Sequence, residues 1–360
     1  MRVLKALAAV SLFLFSPAVP SLHARETDLR PALPATAQAV LVEAEGFAQR
    51  GGWVVDPQFM DQMGSPYLLA HGLGRPVADA ATEVEFPAAG DYRVWVRTKD
   101  WVAQWNAPGA PGRFQLLVNG RPLETTCGTE GAQWHWQDGG SVKILERRVR
   151  LALHDLTGFE GRCDAVLFAR DPQFTPPNQD PEMAALRRVC LGIPEQPEPA
   201  GEFDFVVAGG GIAGTCAALS AARLGLHVAL IQDRPVLGGN NSSEVRVWLQ
   251  GARNKEPWPR LGDIVAELEQ PRRAHYGPTN TADLYEDDKK LALVRAEPNI
   301  RLFLEHRANA VETESGKILA VVAQEIHTGR RVRIAGRWFA DCTGDAAVGA
   351  LAGADLEIHP

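Results

Sequence analysis

Residues 203–214 read Phe203-Asp204-Phe205-Val206-Val207-Ala208-Gly209-Gly210-Gly211-Ile212-Ala213-Gly214, an apolar run that leads directly into a glycine-rich turn. The residues that follow, up to Leu224, have the spacing of a helix, and His227 to Ile231 is apolar again. Continuous apolar strands that alternate with helices are typical of a parallel sheet covered on both faces. The C-terminal part of the chain, residues 202–360, is therefore predicted to be an α/β domain.

The glycines of this turn have the spacing of a dinucleotide site. Gly209, Gly211 and Gly214 lie where a strand should meet a helix. At these positions the first glycine permits a tight turn, the second lets a pyrophosphate approach the backbone, and the third allows close helix–strand contact. The free N–H groups and the dipole of the helix N-terminus then stabilise the phosphate charge. We therefore predict a Rossmann-type site, the alternative being a glycine turn without a ligand.

The second predicted strand should end in an acid that accepts the ribose hydroxyl groups, about 20 residues after the glycines. The sequence has Gln232 at that position and Asp233 immediately after it. Either Gln232 accepts one hydrogen bond without a charge, or Asp233 replaces it. The sequence leaves both readings open.

Two later segments extend the pattern. They read Val236-Leu237-Gly238-Gly239-Asn240-Asn241-Ser242-Ser243-Glu244-Val245-Arg246 and Phe339-Ala340-Asp341-Cys342-Thr343-Gly344-Asp345. Together with the first glycine turn they resemble the FAD-dependent oxidoreductase family, within the glutathione-reductase-like group of FAD/NAD(P)-binding Rossmann domains. The resemblance covers roughly residues 203 to 356 and implies FAD as the cofactor.

The resemblance also implies positions for the cofactor. Gly238 and Gly239 would lie along the pyrophosphate and ribityl chain, and the segment Thr343, Gly344 and Asp345 would contact the same region, with Asp345 as the hydrogen-bonding acid. Backbone groups of Asn309-Ala310-Val311 would contact adenine, which adds Val311 to the cofactor-binding set.

Members of that family continue beyond the Thr-Gly-Asp segment into a substrate domain, so we expect this chain to be a fragment that lacks the residues facing the flavin ring. The polar candidates near a flavin are His275, Tyr276 and Arg246. A histidine in a Pro/Gly-flanked loop is more often solvated than catalytic. No catalytic residue is predicted.

Residues 36–170 have a different period. Short alternating runs separated by Gly-containing turns predict an antiparallel β-sandwich, jelly-roll-like in arrangement, with strands at Thr82–Phe86, Tyr92–Arg97, Phe114–Val118 and Arg148–Leu153. We expect Trp95 in its core and Arg93 and Arg97 exposed. The Pro-rich stretch 171–201 is predicted to be a linker with a short helix around Met183 to Val189.

The segment Val42-Glu43-Ala44-Glu45 resembles the start of calcium-stabilised jelly-roll carbohydrate-binding modules. That resemblance implies a structural Ca²⁺ held by Glu43, Glu45 and Asp164, and carboxylate oxygens suit a hard cation. The alternative is ordinary acids at strand ends. Four tryptophans in loop-like stretches are candidates for stacking on a sugar ring, with core packing expected for at least half of them: Trp101, Trp105, Trp134 and Trp136.

Charge and N-terminal composition indicate the compartment. Residues 1–24 combine Arg2 and Lys5 with an apolar run and a small residue at Ala24, which predicts a signal peptide and export to the periplasm or beyond the cell. No later segment has the length of a membrane span. A net charge of -7 argues against nucleic-acid binding.

Cys127 and Cys163 are candidates for a disulfide, which spacing alone cannot establish.

We therefore expect an exported FAD-dependent oxidoreductase that transfers hydride to or from an unidentified small-molecule or carbohydrate-related substrate. The alternative is an extracytoplasmic carbohydrate-binding protein with a non-catalytic Rossmann remnant.

Overall fold

The computed structural model describes residues 39–107, 109–251 and 253–357. The signal-peptide prediction falls on residues 1–24, which lie outside these ranges. We call residues 39–170 the N-terminal region. Its strands and one short helix are β1 (Ala39–Glu43), β2 (Val54–Asp56), α1 (Met60–Met63), β3 (Tyr67–His71), β4 (Ala80–Glu85), β5 (Gly90–Thr98), β6 (Phe114–Val118), β7 (Arg121–Pro122), β8 (His135–Ile144), β9 (Arg148–Asp155), β10 (Phe159–Cys163) and β11 (Ala165–Ala169).

All strand pairs of the N-terminal region are antiparallel within the described residues. Two four-stranded sheets have the orders β1-β11-β5-β8 and β4-β9-β6-β7, and a smaller sheet has the order β10-β3-β2. Alternate apolar residues of both larger sheets are buried in one common core, which includes Val94, Val96, Phe168, Phe114, Leu116 and Leu151. The two larger sheets therefore pack against each other through the apolar face of each strand.

Strand β5 corrects one expectation. Residues two apart on a strand share a face, so Trp95 lies on the same side as Arg93 and Arg97. Val94 and Val96 face the common core instead. Arg97, predicted to be exposed, is only 3% exposed and forms an ion pair with Asp164.

The Pro-rich stretch after β11 contains helix α2 (Glu182–Leu191), close to the predicted position. Its residues Met183 and Leu186 are buried against Leu41 and Leu167 of the first sheet. Part of the predicted linker is therefore packed on the N-terminal region.

We call residues 198–357 the C-terminal region. Strands and helices alternate over its first part, and its elements are β12 (Glu198–Ala208), α3 (Ile212–Arg223), β13 (Val228–Gln232), α4 (Asp263–Leu268), α5 (Asp287–Arg295), β14 (Ile300–Leu304), β15 (His306–Glu314), β16 (Lys317–Glu325), β17 (Arg331–Asp341) and α6 (Ala347–Leu351). They include the predicted apolar strands and the predicted helix after the glycines.

One six-stranded sheet organises this region, with the order β14-β13-β12-β17-β16-β15. The pairs among β14, β13, β12 and β17 are parallel, whereas β15, β16 and β17 pair antiparallel. Helix α3 buries Ala218, Leu219 and Ala222 against Val207 and Leu230 of the sheet. The carboxyl ends of four parallel strands consequently meet at one edge, next to the N-terminus of α3.

None of the helices in the described part of the chain is long and apolar enough to cross a membrane.

Both candidate disulfide cysteines lie in the core of the N-terminal region. Cys127 and Cys163 are buried there, and each carries a free thiol. Burial raises the pKa of Cys127 to about 12 and raises that of Cys163 well above its ordinary value. Since the thiolate is the reactive form, both thiols should be inert at neutral pH.

We therefore expect native protein to leave Cys127 and Cys163 unmodified by iodoacetamide at pH near 8, because each thiol is both protonated and inaccessible. Denaturant should make both react fully. Peptide mass spectrometry reads out each cysteine separately, and a peptide pair linked through Cys127 and Cys163 in unreduced protein would contradict the free-thiol arrangement.

Candidate functional site

Two of the three motif glycines have structural reasons for lacking a side chain. Gly209 has a φ of +99°, and a Cβ on it would lie 2.2 Å from the carbonyl oxygen of Cys342. A Cβ on Gly214 would lie 1.8 Å from the carbonyl oxygen of Gly209. The first glycine therefore allows the turn and the third allows α3 to approach it, as the motif predicts.

Gly211 differs from its neighbours because it faces open space. Its φ is -62°, which any residue adopts, and no protein atom lies within 4 Å of the position that a Cβ would take. Gly211 is also the N-cap of α3, and no side chain caps the helix there. The first N–H groups of a helix lack intrahelical partners, which suits a helix N-terminus to bind an anion. A pyrophosphate fits this cradle.

A second glycine turn lies beside the first. Gly238 and Gly239 have φ values of +108° and +58°, and the N–H of Gly238 donates to the carbonyl oxygen of Gly210 over 2.8 Å. The two turns border a cavity of about 490 Å³ at the carboxyl ends of the parallel strands. Nine of the predicted cofactor residues line it: Gly209, Gly211, Gln232, Asp233, Gly238, Gly239, Thr343, Gly344 and Asp345.

The structure separates the roles of Gln232 and Asp233. The Oε1 atom of Gln232 accepts from the backbone N–H of Gly210 over 2.7 Å, and its Nε2 donates to the carbonyl oxygen of Val236 over 3.0 Å. Gln232 therefore ties the two glycine turns together with both ends of its amide. Asp233 carries the carboxylate on the cavity wall. Burial raises the pKa of Asp233, whereas the nearby Arg307 and Arg234 lower it.

An acid that the sequence did not single out orders the last predicted segment. Asp341, at the end of β17, accepts from the backbone N–H and the hydroxyl of Thr343 over 3.1 and 2.7 Å, and from the N–H of Gly349 over 2.9 Å. Burial alone would raise the pKa of Asp341, but these hydrogen bonds hold it below its ordinary value. Asp341 thus fixes the loop that brings the exposed Asp345 to the cavity.

Val311, which was predicted to contact adenine, lies outside the described lining of this cavity. It packs against the core beneath the sheet. The cavity is lined instead by residues three to five positions earlier on β15: His306, Arg307 and Ala308. Arg234 also lines it. Both arginines closely follow the end of a parallel strand, and that position is the signal that could have identified them.

The polar candidates for catalysis do not meet at this cavity. His275, Tyr276 and Arg246 are exposed and lie outside its described lining. The wall near them is formed by the stretch 247–250, in which Trp248 is buried and stacks on Tyr285 with ring centroids 4.4 Å apart. The described residues therefore supply a binding cleft without an evident acid–base pair.

Two of the three predicted calcium ligands, Glu43 and Asp164, are paired with arginine side chains. Arg187 of α2 donates from Nε to Glu43 over 2.7 Å and from Nη2 to Asp164 over 2.9 Å. Arg97 donates to the same oxygen of Asp164 over 2.9 Å. The described residues include no group of three or more His, Cys, Asp or Glu side chains suited to hold a metal ion. Arg187 thus supplies a positive charge to Glu43 and Asp164, whereas Glu45 is buried beside them and its Oε2 has no hydrogen-bond partner among the described residues.

The tryptophan candidates divide into two groups. Trp134 and Trp136 are buried, as core packing predicts. Trp105 is 63% exposed and contacts Trp101 edge-on, with centroids 5.9 Å apart. Trp101 stacks on the half-exposed Phe159, whose carbonyl oxygen accepts from its indole Nε1 over 3.2 Å. Trp101, Trp105 and Phe159 form one surface, here named the aromatic platform.

We expect Gly214→Ala to lower the free energy of unfolding by about 2–4 kcal/mol, because the new methyl group must displace backbone rather than a mobile side chain. Urea denaturation monitored by circular dichroism measures the loss. Ser220→Ala, at an exposed position on the same helix, is the matched control and should change stability by less than about 0.5 kcal/mol. A Gly214→Ala protein as stable as that control would contradict the close helix–turn contact.

A glycine-lined cleft at the carboxyl ends of parallel strands, open to the N-terminus of a helix, is the arrangement of proteins that bind a dinucleotide. Residues 204–359 match the model of the family described as FAD dependent oxidoreductase. At the level of class, this part of the chain is therefore similar to FAD-dependent oxidoreductases. No curated protein matches the chain.

Solved structures give more distant likenesses. One is L-proline dehydrogenase from P. horikoshii, 22% identical, with a TM-score of 0.26, over 42% of this chain and 24% of that one. Another is a myxobacterial chondrochloren halogenase, described as a variant of FAD-dependent halogenases, 15% identical, with a TM-score of 0.28, over 41% of this chain and 38% of that one. The chain thus spans well under half the length of these two flavoproteins.

A third likeness is to a family 35 carbohydrate binding module from Clostridium thermocellum. It is 15% identical, with a TM-score of 0.26, over 36% of this chain and 90% of that one.

Proposed function

We propose that the protein is an FAD-dependent oxidoreductase whose dinucleotide lies in the cleft between the two glycine turns. The observation that carries this proposal is the open cradle at Gly211, where an added Cβ would meet no neighbouring residue within 4 Å and no side chain caps α3. The family match over residues 204–359 supports FAD as the dinucleotide.

The residues of the cleft have separate tasks in this proposal. Backbone N–H groups at the start of α3 bind the pyrophosphate, and the Gly238-Gly239 turn gives it a second wall without side chains. Asp233 accepts the ribose hydroxyl groups, and Asp345 binds the ribityl or pyrophosphate region. When bound, the flavin supplies hydride-transfer chemistry. The chain's own residues bind and orient the cofactor, and the substrate remains unidentified.

We further propose that the protein is exported and acts on a carbohydrate-related substrate. The aromatic platform supports the proposed substrate class, because flat exposed rings pack well against the apolar C–H face of a sugar. The indole of Trp101 is held in place by its hydrogen bond to Phe159, which leaves the exposed Trp105 beside a rigid ring. The alternative, a carbohydrate-binding protein without catalysis, is not favoured, because the family match lies on the dinucleotide region.

Anaerobic titration tests the function. The full chain loaded with FAD is mixed with a panel of sugars and sugar alcohols, and loss of the visible flavin absorbance reports reduction. We expect at least one of these compounds to reduce the flavin. Reduction by dithionite but by none of the panel would contradict the substrate class, while leaving the flavoprotein assignment intact.

We expect Trp105→Ala to weaken binding of a retained polysaccharide by about fivefold or more, since stacking on an exposed indole should contribute at least ~1 kcal/mol. Affinity electrophoresis of the full chain through gels containing different polysaccharides measures retardation. Trp338→Ala removes a tryptophan that is 70% exposed on β17 and is the matched control. Equal retardation of both variants, or none of the wild type, would contradict carbohydrate binding at the platform.

A further inference from the structure

One arginine belongs both to the cleft and to the contact between the two regions. Arg307 lines the cavity, and its guanidinium is bound in a bidentate manner by Asp61 of α1, with Nη2 and Nε 2.8 and 3.4 Å from the carboxylate oxygens. Its Nη1 is 3.4 Å from Oδ2 of Asp233. Arg307 therefore bridges the two acids, with two contacts to Asp61, one of them the shortest of the three, and one contact to Asp233.

The docking of α1 on the C-terminal region is built from several matched groups. Arg307 and Gln324 are opposite each other in the β15–β16 pair. Gln324 donates from Nε2 to the carbonyl oxygen of Gly64, directly after α1, over 2.8 Å. The second arginine of the cleft, Arg234, is attracted electrostatically by Asp56 of β2. Two acids of the N-terminal region thus face the two arginines of the cleft.

Arg307 and the ribose hydroxyl groups of a bound nucleotide would compete for the carboxylate oxygens of Asp233. A carboxylate that accepts ribose hydroxyl groups must have its oxygens free, whereas a close arginine would occupy them. Asp61 forms the shortest contact and engages two of the guanidinium nitrogens, so Arg307 meets Asp233 through Nη1 alone, at Oδ2 over 3.4 Å. The positive charge still favours ionised Asp233, because Coulomb attraction acts beyond hydrogen-bond contact.

We propose that Asp61 is a positioning residue for an adenine nucleotide: it retains Arg307, so that Asp233 accepts the ribose hydroxyl groups. The N-terminal region is then part of the cofactor site. This inference rests on the proposed function, because it assumes a nucleotide whose ribose lies at Asp233. Without Asp61, Arg307 turns to Asp233 and blocks those oxygens.

Isothermal titration of the full chain with FAD, and separately with ADP, tests this inference in four proteins: wild type, Asp61→Asn, Arg307→Gln and the double variant. Asp61→Asn should weaken both ligands about five- to tenfold, the size expected when one hydrogen bond of ordinary net strength is lost. In the Arg307→Gln background the same change should have no further effect, because the competing guanidinium is gone. A merely structural role of Asp61 would lower affinity equally in both backgrounds.

Two control variants distinguish a specific effect of Asp61 on nucleotide affinity from a general loss of affinity. Glu83→Gln removes an acid that is paired with Arg148 far from the cleft, and should leave both affinities unchanged. Asp61 is 67% exposed, so its variant should fold, and Asp61→Glu should retain wild-type affinity. Unchanged affinity in Asp61→Asn, or an equal loss in both backgrounds, overturns the inference. A wild type that binds ADP but not FAD overturns the flavoprotein proposal alone, and one that binds neither overturns both.

Discussion

Replacing Gly211 with leucine should abolish FAD binding while the protein stays folded. The leucine side chain would enter the space where no protein atom lies within 4 Å, and the φ of -62° accepts any residue. It would therefore fill the pyrophosphate cradle without a clash in the protein itself. We expect the dissociation constant for FAD to rise at least about 100-fold, equivalent to ~2.7 kcal/mol.

Stability should change little in the same variant. Glycine is only a moderately good N-cap, so leucine at this position should cost about 1 kcal/mol or less. Ser220→Leu adds the same side chain at an exposed position of α3, away from the cleft, and is the matched control. Equilibrium dialysis gives the FAD affinity, and thermal unfolding gives the stability. Wild-type affinity in Gly211→Leu would place the dinucleotide elsewhere.

The largest effect on stability should come from Arg187→Leu, about 3–5 kcal/mol, because the change leaves the carboxylate of Glu43 buried without its ion-pair partner and removes one of the two arginines paired with Asp164. The guanidinium is almost fully buried, and solvent cannot replace it. Urea denaturation of the full chain measures the free energy of unfolding.

Arg188→Leu is the matched control, since Arg188 is the next residue on α2 and is partly exposed. It should change stability by less than about 0.5 kcal/mol. If the two variants were equally stable, Arg187 would not be the cation that balances the buried acids.

Features that depend on local order along the chain were predictable from the sequence. The tasks of Gly209, Gly211 and Gly214 follow from a strand, a turn and a helix in succession, and the structure shows the expected close contacts at Gly209 and Gly214. The Gly238-Gly239 turn and the segment from Thr343 to Asp345 also reach the cleft. Each of these segments closely follows the carboxyl end of a parallel strand, β13 or β17, so chain order placed them near one another.

Features that depend on distant partners were not predictable. Arg187 lies in a stretch that reads as a linker, and nothing in its neighbours indicates that it returns to Glu43. The role of Gln232 depends on the direction of the Gly210 N–H, which only the folded turn defines. The lining residues at the start of β15 were not predictable either, because β14 and β15 are joined through Glu305 alone, at a φ of +54°, which places His306 and Arg307 at the cleft.

Uptake of FAD by the purified full chain tests most directly whether the cleft is a flavin site. We expect added FAD to be retained through gel filtration at one molecule per chain, and the protein to be yellow. We also expect ADP to compete for the same site, because the adenosine half of FAD binds at Asp233. A folded protein that stays colourless and retains no added FAD would contradict the central claim that this cleft is a flavin site.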